Sequence, residues 1–425
     1  MMNSSPERIA WITLISAFCI CLFSGAVGTF AVRWYVFEST TGLQVQLRVG
    51  RGTAGVSGLE TSTSEEVVRI NRGLETNDKV TTDEIAQGYI EFVDTRHQDR
   101  IIAHAVIPPG SQIRLFSATR PRYNLSDEGY QIHLGALEGR LEVRVPPALP
   151  QSLRIVIEGS HGTVTIENSG VYLIWSLPDS MTLIPRHSAA LLTVENSETI
   201  EVPAGQTAQI DALQATVTVI KTTDELVKNS LFLNTTEPGV PDGWGCFSIS
   251  ENPDAVRGIN QLQTVEGRRA MHIERRGETL GYGETGCLQL LGERQEGLDV
   301  SAYRTLRIRA SLNIRWHSLA ICGSQASECA LMLELTYLNE FGQKQRWIHG
   351  FYAFEHINPD LPRSCNSCLL EHDRITAGNW YIFESQNLFE LPEGFRPTRL
   401  EKIRFYAAGH EYEVLVDEVA VLGER

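Results

Sequence analysis

The sequence predicts a mainly β protein in which one transmembrane helix precedes two β-rich units. Three observations predict this class. A long uncharged run lies near the N-terminus, short segments that alternate apolar and polar residues recur through the rest of the chain, and no helical pattern of about 10–15 residues separates those segments. Strands without intervening helices argue against a parallel α/β fold.

The amino-acid composition and net charge exclude some classes of protein. The chain has 425 residues, with 37 Lys and Arg against 52 Asp and Glu, and a net charge of −15. Nucleic-acid binding needs a basic face against the phosphates, so we expect no nucleic-acid partner. Hydrophobic residues make up 42% and charged residues 21%, a balance that is typical of folded globular chains and not of disordered ones.

The first predicted element is a transmembrane helix over residues 9–32. This run contains no charged residue, and about 20 apolar residues are enough to cross the hydrocarbon core of a bilayer. Trp11 and Trp34 lie near its ends, where amphipathic rings favour the membrane interface. A cleaved signal peptide is the alternative, but the run is long for one and Arg8 is offset by Glu7. We therefore expect an uncleaved anchor.

This anchor predicts a single-pass protein of the cell membrane, and the membrane is its first expected partner. Residues 1–8 are predicted as a cytoplasmic stub and residues 33–44 as a stalk on the other side. Long segments that follow a first helix are translocated largely regardless of their charge. The bulk of the chain is therefore expected to be extracytoplasmic, with the N-terminus in the cytoplasm.

Residues 45–221 form the first predicted β unit. Apolar and polar residues alternate at 45–49 and 141–145, and turn-forming residues separate such segments at 108–110 and 167–170. Many short strands at regular spacing are typical of a sandwich, a barrel or a solenoid-like stack.

Four segments of this unit resemble the FecR-type extracytoplasmic domain. They are GLETNDKVTT at 73–82, GYIEF at 88–92, PGSQIRL at 109–115 and VPAGQ at 202–206. The resemblance implies an exported β domain, and well-studied members pass a signal through one membrane helix to a cytoplasmic domain that controls a sigma factor. Such a domain needs on the order of 40 residues to bury a core. Residues 1–8 leave no room for it, so we expect the unit to serve as an exported β module.

Residues 222–243 are predicted as a linker between the two units. Pro, Gly and Asp are dense at 237–243, which is typical of the entrance to a domain. A short helix capped by Thr223 is predicted to begin this linker.

Residues 244–425 form the second predicted β unit. Alternation recurs at 305–310, 331–337 and 412–419. The order of these segments, from an opening Gly-Trp pair to a closing VDEV, resembles galactose-binding-like jelly rolls, the fold of many carbohydrate-binding modules. The resemblance implies a jelly-roll β-sandwich.

Six cysteines of the second unit are predicted to form disulfides: Cys246, Cys287, Cys322, Cys329, Cys365 and Cys368. An even number of cysteines in one exported unit is typical of a disulfide framework. Short separations favour one pair within 322–329 and one within 365–368, which leaves Cys246 for Cys287, although the sequence does not fix the connectivity. A zinc site that adds His356 and His372 is the alternative, but its spacing differs from compact zinc-ribbon patterns.

The ligand-contact candidates are four residues in dense aromatic clusters: Trp347, Tyr352, Trp380 and Tyr381. Neighbouring residues in a strand point to opposite faces of the sheet. One of Trp380 and Tyr381 is therefore expected to face outward, and likewise one of Phe351 and Tyr352. An outward ring can stack on a sugar or anchor a protein partner. The alternative is that these rings fill the core of the sandwich.

The sequence thus predicts a membrane-anchored extracytoplasmic surface protein whose β domains bind a glycan or a surface protein. The chain has no G-x-S-x-G, H-E-x-x-H or P-loop signature. We therefore predict no enzyme activity, no catalytic, cofactor-binding or metal-binding residues, and no cofactor. Two alternatives stay open: a FecR-like signalling component that acts through a partner, and a cell-surface hydrolase of unrecognised type.

Overall fold

The structure is a computed structural model that describes residues 6–425, except for 59–64, 124, 127, 195–198, 212–215, 221–222, 238, 278–280, 294–295, 357 and 359. Residues 1–5 of the predicted stub therefore lie outside the described residues. The chain forms one long helix followed by a succession of strands. The predicted mainly β class is confirmed.

The helix α1 runs from Pro6 to Phe37. Proline is favoured in the first turn of a helix, because the N–H that it lacks would have no partner inside the helix. In the most apolar stretch of α1, no residue is buried against the β structure. The helix is long and apolar enough to cross a membrane, a property that a signal sequence shares. The helix extends beyond the predicted 9–32 into the predicted stalk.

The first unit contains the strands β1 to β18. Their bounds are β1 (Thr40–Gly42), β2 (Gln44–Arg51), β3 (Ala54–Ser57), β4 (Glu66–Val68), β5 (Asn71–Gly73), β6 (Lys79–Thr82), β7 (Gln87–Asp94), β8 (Arg100–Ile107), β9 (Gln112–Pro121), β10 (Tyr130–Val145), β11 (Leu153–Glu158), β12 (Gly162–Ile166), β13 (Gly170–Leu177), β14 (Ser180–Pro185), β15 (Ala190–Val194), β16 (Thr199–Val202), β17 (Thr207–Asp211) and β18 (Thr216–Ile220). A short 3₁₀ helix, Thr95–His97, connects β7 to β8.

Two sheets enclose the core of the first unit. Sheet A has the order β4-β3-β6-β9-β10-β11-β12-β15-β16, with β1 also on β9, and sheet B has the order β5-β2-β7-β8-β10-β13-β14-β17-β18. The long strand β10 belongs to both, because its first half pairs with β9 and β11 and its second half with β8 and β13. Inward-facing residues such as Leu47, Ile90 and Leu141 are buried between the sheets.

The second unit contains the strands β19 to β33. Their bounds are β19 (Thr223–Glu225), β20 (Thr235–Glu237), β21 (Val240–Pro241), β22 (Gly245–Ser250), β23 (Ile259–Val265), β24 (Arg268–Arg275), β25 (Gly283–Leu290), β26 (Leu298–Asp299), β27 (Thr305–His317), β28 (Leu331–Asn339), β29 (Lys344–Tyr352), β30 (Asp373–Arg374), β31 (Tyr381–Glu384), β32 (Pro397–Gly409) and β33 (Tyr412–Glu424). A 3₁₀ helix, Leu388–Glu390, follows β31.

Two further sheets form a sandwich in the second unit. Sheet C has the order β23-β24-β33-β27-β31, and sheet D has the order β22-β25-β32-β28-β29-β30. Leu312, Leu333 and Phe405 belong to the apolar core between them. The helix predicted to start at Thr223 is wrong, because Thr223–Glu225 is the strand β19 and pairs with β33 of sheet C. Backbone pairing with a neighbouring strand, available only in the folded chain, outweighs the local capping signal.

Three disulfides join the six cysteines in the pairs that their spacing favoured: Cys246–Cys287, Cys322–Cys329 and Cys365–Cys368. The first links directly opposite positions on β22 and β25. The second packs on the outer side of sheet D, against Tyr352. Disulfides form and persist in oxidising compartments outside the cytoplasm, so they indicate where the second unit folds.

The two units contact each other through the outer sides of sheets B and C. Tyr89 and Val106 of sheet B form a buried apolar patch with Trp380, Ile382 and Leu415 of the second unit. Sheets B and C are therefore covered on both sides over this patch, by their own core on one side and by the other unit on the opposite side.

The Gln87 side chain joins the two units by forming the pair of backbone hydrogen bonds that a neighbouring strand would form. Its amide N–H donates to the Ile382 carbonyl oxygen at 2.9 Å, and its amide oxygen accepts the Ile382 backbone N–H at 2.7 Å. Ile382 lies on β31, which ends the strand order of sheet C. Asn379 adds a second link between the units, because its side-chain N–H donates to the Val49 carbonyl oxygen at 2.8 Å.

Candidate functional site

The four aromatic ligand-contact candidates are all buried, and the exposed platform predicted for them is wrong. Trp347 and Tyr381 lie in the core between sheets C and D, and Tyr352 lies beneath the Cys322–Cys329 disulfide. Trp380 lies in the patch between the two units. The alternation itself holds, since Trp380 and Tyr381 point to opposite faces of sheet C. The face expected to meet solvent meets the first unit instead.

His372, a member of the disfavoured zinc alternative, lies close to two of the disulfides. Its Nε2–H donates to the Ala326 carbonyl oxygen at 2.8 Å, and its Nδ1 accepts the Gly350 backbone N–H at 2.9 Å. Burial lowers the pKa of this imidazole. The neighbouring cysteine sulfurs are bonded to one another and so do not offer thiolate ligands.

Charged side chains between sheets B and C form a buried ionic cluster, which consists of Glu142, Arg144, Arg186, Arg268, Arg309, Asp417 and Glu418. Arg144 donates to Glu142 at 2.6 Å and to Asp417 at 3.0 Å, and Arg309 donates to Glu418 at 3.0 Å. Arg186 and Arg144 also pair with Glu418, and Arg309 pairs with Glu142. The cluster therefore connects β10 of the first unit to β27 and β33 of the second.

The cluster keeps the carboxyl groups of Glu142 and Glu418 ionised. Burial raises the pKa of a carboxyl group, but the guanidinium groups of Arg309 and Arg144 outweigh this effect at Glu142, whose pKa is lowered. At Glu418 burial is opposed by Arg186, Arg309 and Arg144, and the pKa lies well below the usual range. Both acids therefore act as fixed negative charges at neutral pH.

A cleft of about 1190 Å³ opens beside the ionic cluster, between the two units. We call it the interdomain cleft. The first unit contributes β10, β13 and β14 together with the turn around Pro109, and the second contributes β19, β27, β31 and the end of β33. Glu142, Arg186 and Arg309 line the cleft and also belong to the ionic cluster, so the cluster fixes the relative position of the two walls.

The first-unit wall of the cleft is largely apolar. Leu173, Trp175 and Leu177 project from the outer face of β13, and Ile184 projects from β14 beside them. Trp175 is half-buried and Leu177 is exposed. Arg140, directly opposite Trp175 on β10, is exposed. This wall thus offers an accessible indole face with a guanidinium group beside it.

The second-unit wall of the cleft is polar. Arg307 and Glu384 form an ion pair at 2.9 Å, and the Thr305 hydroxyl donates to Glu424 at 2.9 Å. Gln386 is exposed at the end of β31 and also lines the cleft. Planar side chains with paired donors and acceptors therefore lie in the same cleft as the indole of Trp175.

Of the residues that line this cleft, sequence reasoning named only Tyr381 as a ligand-contact candidate, and that residue belongs to the core of the second unit. Trp175 does not stand out in the sequence, because the aromatic residues of the second unit are denser along the chain. One signal was present: Asp417 and Glu418 interrupt an apolar strand with two adjacent acids, and Arg307 and Arg309 alternate on another strand. Charged residues that alternate with core residues normally face water. The sequence pattern therefore does not indicate that these charged residues lie between the two units.

No protein-family model matches the sequence, and no curated protein matches it. Among solved structures, a protein from Parabacteroides distasonis described as an anti-sigma factor matches with 10% identity and a TM-score of 0.24, over 34% of this chain and 59% of that chain. The chain thus spans little more than half of that protein.

Carbohydrate-binding modules also match. The family 11 module of the cellulase Lic26A-Cel5E from Clostridium thermocellum has 13% identity and a TM-score of 0.26, over 47% of this chain and 95% of that chain. The CBM22-1 xylan-binding domain of Xyn10C from Paenibacillus barcinonensis has 11% identity and a TM-score of 0.26, over 48% of this chain and 97% of that chain. Likenesses of this size carry no information on ligand or activity.

Proposed function

We propose that this protein is a non-catalytic, membrane-anchored protein that binds a glycan outside the cytoplasm, in the interdomain cleft. The observation that carries the proposal is the composition of the cleft, which combines the half-buried Trp175 with the planar polar side chains of Arg307, Glu384 and Gln386. Small-molecule sites are typically clefts of about 300–1,000 Å³ with apolar walls and a few fixed polar groups. This cleft is of that order.

The chemistry of the two walls suits a sugar. A pyranose ring has an apolar face of C–H groups, which an indole covers well, because tryptophan combines a large apolar surface with a polar edge. Its adjacent hydroxyl groups donate and accept side by side, as do carboxylate, amide and guanidinium groups with two parallel positions. Glu384 and Gln386 supply such groups from one strand end.

The absence of catalysis is part of the proposal, and the surroundings of Glu142 support it. Hydrolysis of a glycosidic bond commonly uses a carboxyl group with a raised pKa as the general acid. The Glu142 carboxyl lines the cleft, but Arg309 and Arg144 lower its pKa against the effect of burial. We expect a panel of oligosaccharides to bind without turnover.

Replacement of Trp175 by Ala should weaken glycan binding by about 10-fold or more, which corresponds to ~1.4 kcal/mol. The substitution removes the indole face from the cleft while the ionic cluster stays in place. Titration calorimetry with oligosaccharides selected on a glycan array measures the change on the full-length protein in detergent micelles.

The matched control is Trp316→Ala, because Trp316 is 40% exposed and lies outside the cleft. We expect this variant to bind as the wild type does. Equal losses for the two variants, or no glycan bound by the wild type, would contradict the proposal.

The membrane anchor leads to a separate prediction. Protease treatment of intact cells should release the β units and leave α1 in the membrane, because α1 is apolar and long enough to span the bilayer. Immunoblots with antibodies against the second unit and mass spectrometry of the membrane fraction measure the two products. A mature soluble chain that begins near Val27 would instead assign the helix to a cleaved signal sequence.

A further inference from the structure

The first unit is attached to the end of α1 without a long connection. Two residues, Glu38 and Ser39, separate α1 from β1. The Arg122 backbone N–H donates to the Ser39 carbonyl oxygen at 2.9 Å, and β1 pairs along its whole length with the end of β9. Because the chain passes from the helix directly into a paired strand, the position of α1 in a membrane determines where the first unit lies.

The segment that follows β9 packs against the last turn of α1. The ring centres of Tyr123 and Tyr35 lie 5.6 Å apart, and the Arg122 guanidinium lies 5.4 Å from the centre of the Tyr35 ring. The Ser126 hydroxyl donates to the Phe37 carbonyl oxygen. This segment of the first unit therefore lies beside the end of the helix.

The length of α1 places its last turn at the membrane surface. The uncharged run at 9–32 is ~36 Å long in a helix, and the hydrocarbon core of a bilayer is about 30 Å thick. Phe37 lies ~7 Å beyond this run, and the headgroup layer extends about 5–7 Å beyond the core on each side. When α1 spans the bilayer, Tyr35 and Phe37 therefore lie at the level of the headgroups, together with the residues that contact them.

Exposed side chains beside the last turn of α1 have the chemistry of a headgroup contact. We call them the helix-end face, which consists of Arg33, Arg96, Arg122, Tyr123 and Leu125. Arg96 donates to the Pro121 and Arg122 carbonyl oxygens, so its charge lies close to that of Arg122. Tyr123 is 36% exposed and Leu125 is 67% exposed. Tyrosine rings favour the membrane interface, and an exposed leucine is stabilised when it leaves water.

The arginines of the helix-end face can bind phosphate. Among the described residues, none of these arginines pairs with a carboxylate. The planar guanidinium group has donors whose spacing matches the oxygens of a phosphate group. Glu38, Asp99 and Glu128 are exposed and close to this face in the sequence, so its net charge is small. The face therefore suits the phosphate group that all phospholipids share.

We propose that the helix-end face binds the phospholipid headgroup layer of the membrane that α1 spans, with Arg33, Arg96 and Arg122 on phosphate groups and Leu125 inserted at the interface. The proposal rests on α1 as the membrane anchor of the proposed function, and it is independent of glycan binding in the interdomain cleft. Contact on this face holds the first unit directly against the bilayer.

The test is photocrosslinking of the full-length protein in nanodiscs of phosphatidylcholine and phosphatidylglycerol in equal parts, with p-benzoylphenylalanine introduced at one position at a time. The positions are Leu125 on the helix-end face, Phe23 within α1 and Phe341 in the turn between β28 and β29. Phe23 and Phe341 are 73% and 59% exposed. We expect lipid adducts at Phe23 and Leu125, detected by mass spectrometry, and no adduct above the background without irradiation at Phe341.

Arg122→Glu tests the role of the arginines, because it replaces an attraction to phosphate by a repulsion. Its matched control is Arg257→Glu in the second unit, since Arg257 is also exposed. We expect Arg122→Glu to lower the adduct yield at position 125 by about 5-fold or more. Arg257→Glu should leave that yield unchanged.

The position within α1 separates this proposal from the assignment of the anchor. Adducts at Phe23 without adducts at Leu125 would overturn the proposal and leave the anchor in place. An absence of adducts at Phe23 would overturn the anchor and this proposal with it. Equal yields at Leu125 and Phe341, or equal effects of Arg122→Glu and Arg257→Glu, would contradict a specific contact on the helix-end face.

Discussion

Replacement of Glu418 by Gln is expected to lower the free energy of unfolding by about 3–5 kcal/mol, because removal of one partner leaves buried charges uncompensated. The Glu418 carboxylate is fully buried and pairs with Arg144, Arg186 and Arg309. A glutamine of the same size keeps the packing and removes the charge that these three guanidinium groups share. Urea unfolding of the full-length protein in detergent micelles measures the effect.

The control is Glu401→Gln, which breaks a surface ion pair with Lys344 at 2.6 Å, where the two side chains are 30% and 66% exposed. Exposed pairs contribute about 0–1 kcal/mol, so this variant should unfold almost as the wild type does. If the two variants lose the same stability, the cluster does not hold the units together.

At acidic pH, the difference in the free energy of unfolding between the wild type and Glu418→Gln should become smaller. The pKa of Glu418 in the folded protein is well below its ordinary value, so its contribution is fully present above the ordinary pKa of glutamate, about 4.3. The contribution is lost as the pH falls through the pKa of the folded state, because the unfolded chain binds the proton more tightly. Unfolding at stepwise lower pH tests this sign.

Replacement of Trp380 by Ala is expected to lower the free energy of unfolding by about 3–5 kcal/mol. Trp380 is buried between the units, with Tyr89 and Val106 on one side and Ala270 and Leu415 near it. The loss includes a hydrogen bond as well as a cavity. The indole N–H donates to the Glu266 carboxylate at 2.6 Å, and the Arg268 guanidinium lies 4.6 Å from the ring centre.

Trp316→Ala controls for the removal of an indole, because Trp316 is 40% exposed. We expect it to change the free energy of unfolding by about 0.5 kcal/mol or less. The same urea titration measures both variants. If Trp380→Ala is as mild as Trp316→Ala, the contact between sheets B and C does not form in solution.

The fold class and the disulfide pairs could be predicted because they depend on local signals. Alternation of apolar and polar residues, as at 141–145, indicates a strand with one apolar face. This signal does not depend on which other part of the chain packs against that face. The separation of Cys322 from Cys329 is a property of the chain alone. Helix α1 is similarly local, because its length and composition suffice to predict a membrane span.

The cleft could not be predicted, because its residues come together only after the two units dock. Glu142 and Arg144 alternate with core residues as solvent-facing charges do. Asp417 and Glu418, which pair with Arg144, lie more than 270 residues away in the sequence, and Arg309, which pairs with Glu142, lies 167 residues away. The same limit explains the error at Trp380. The sequence indicates which residues share a face of sheet C and gives no sign that another sheet covers it.

The hydrogen bonds between the Gln87 side chain and the backbone of Ile382 affect how the protein aggregates when it is concentrated. An open strand edge displays unpaired backbone groups that recruit a second chain and lead to edge-to-edge aggregation. Copies of a protein at high concentration meet repeatedly, and such recruitment is then fast. Because Gln87 already occupies the N–H and the carbonyl oxygen of Ile382 on β31, that edge has no free backbone groups at this position to offer a neighbouring copy. One amide side chain thus helps to keep crowded copies of the protein separate.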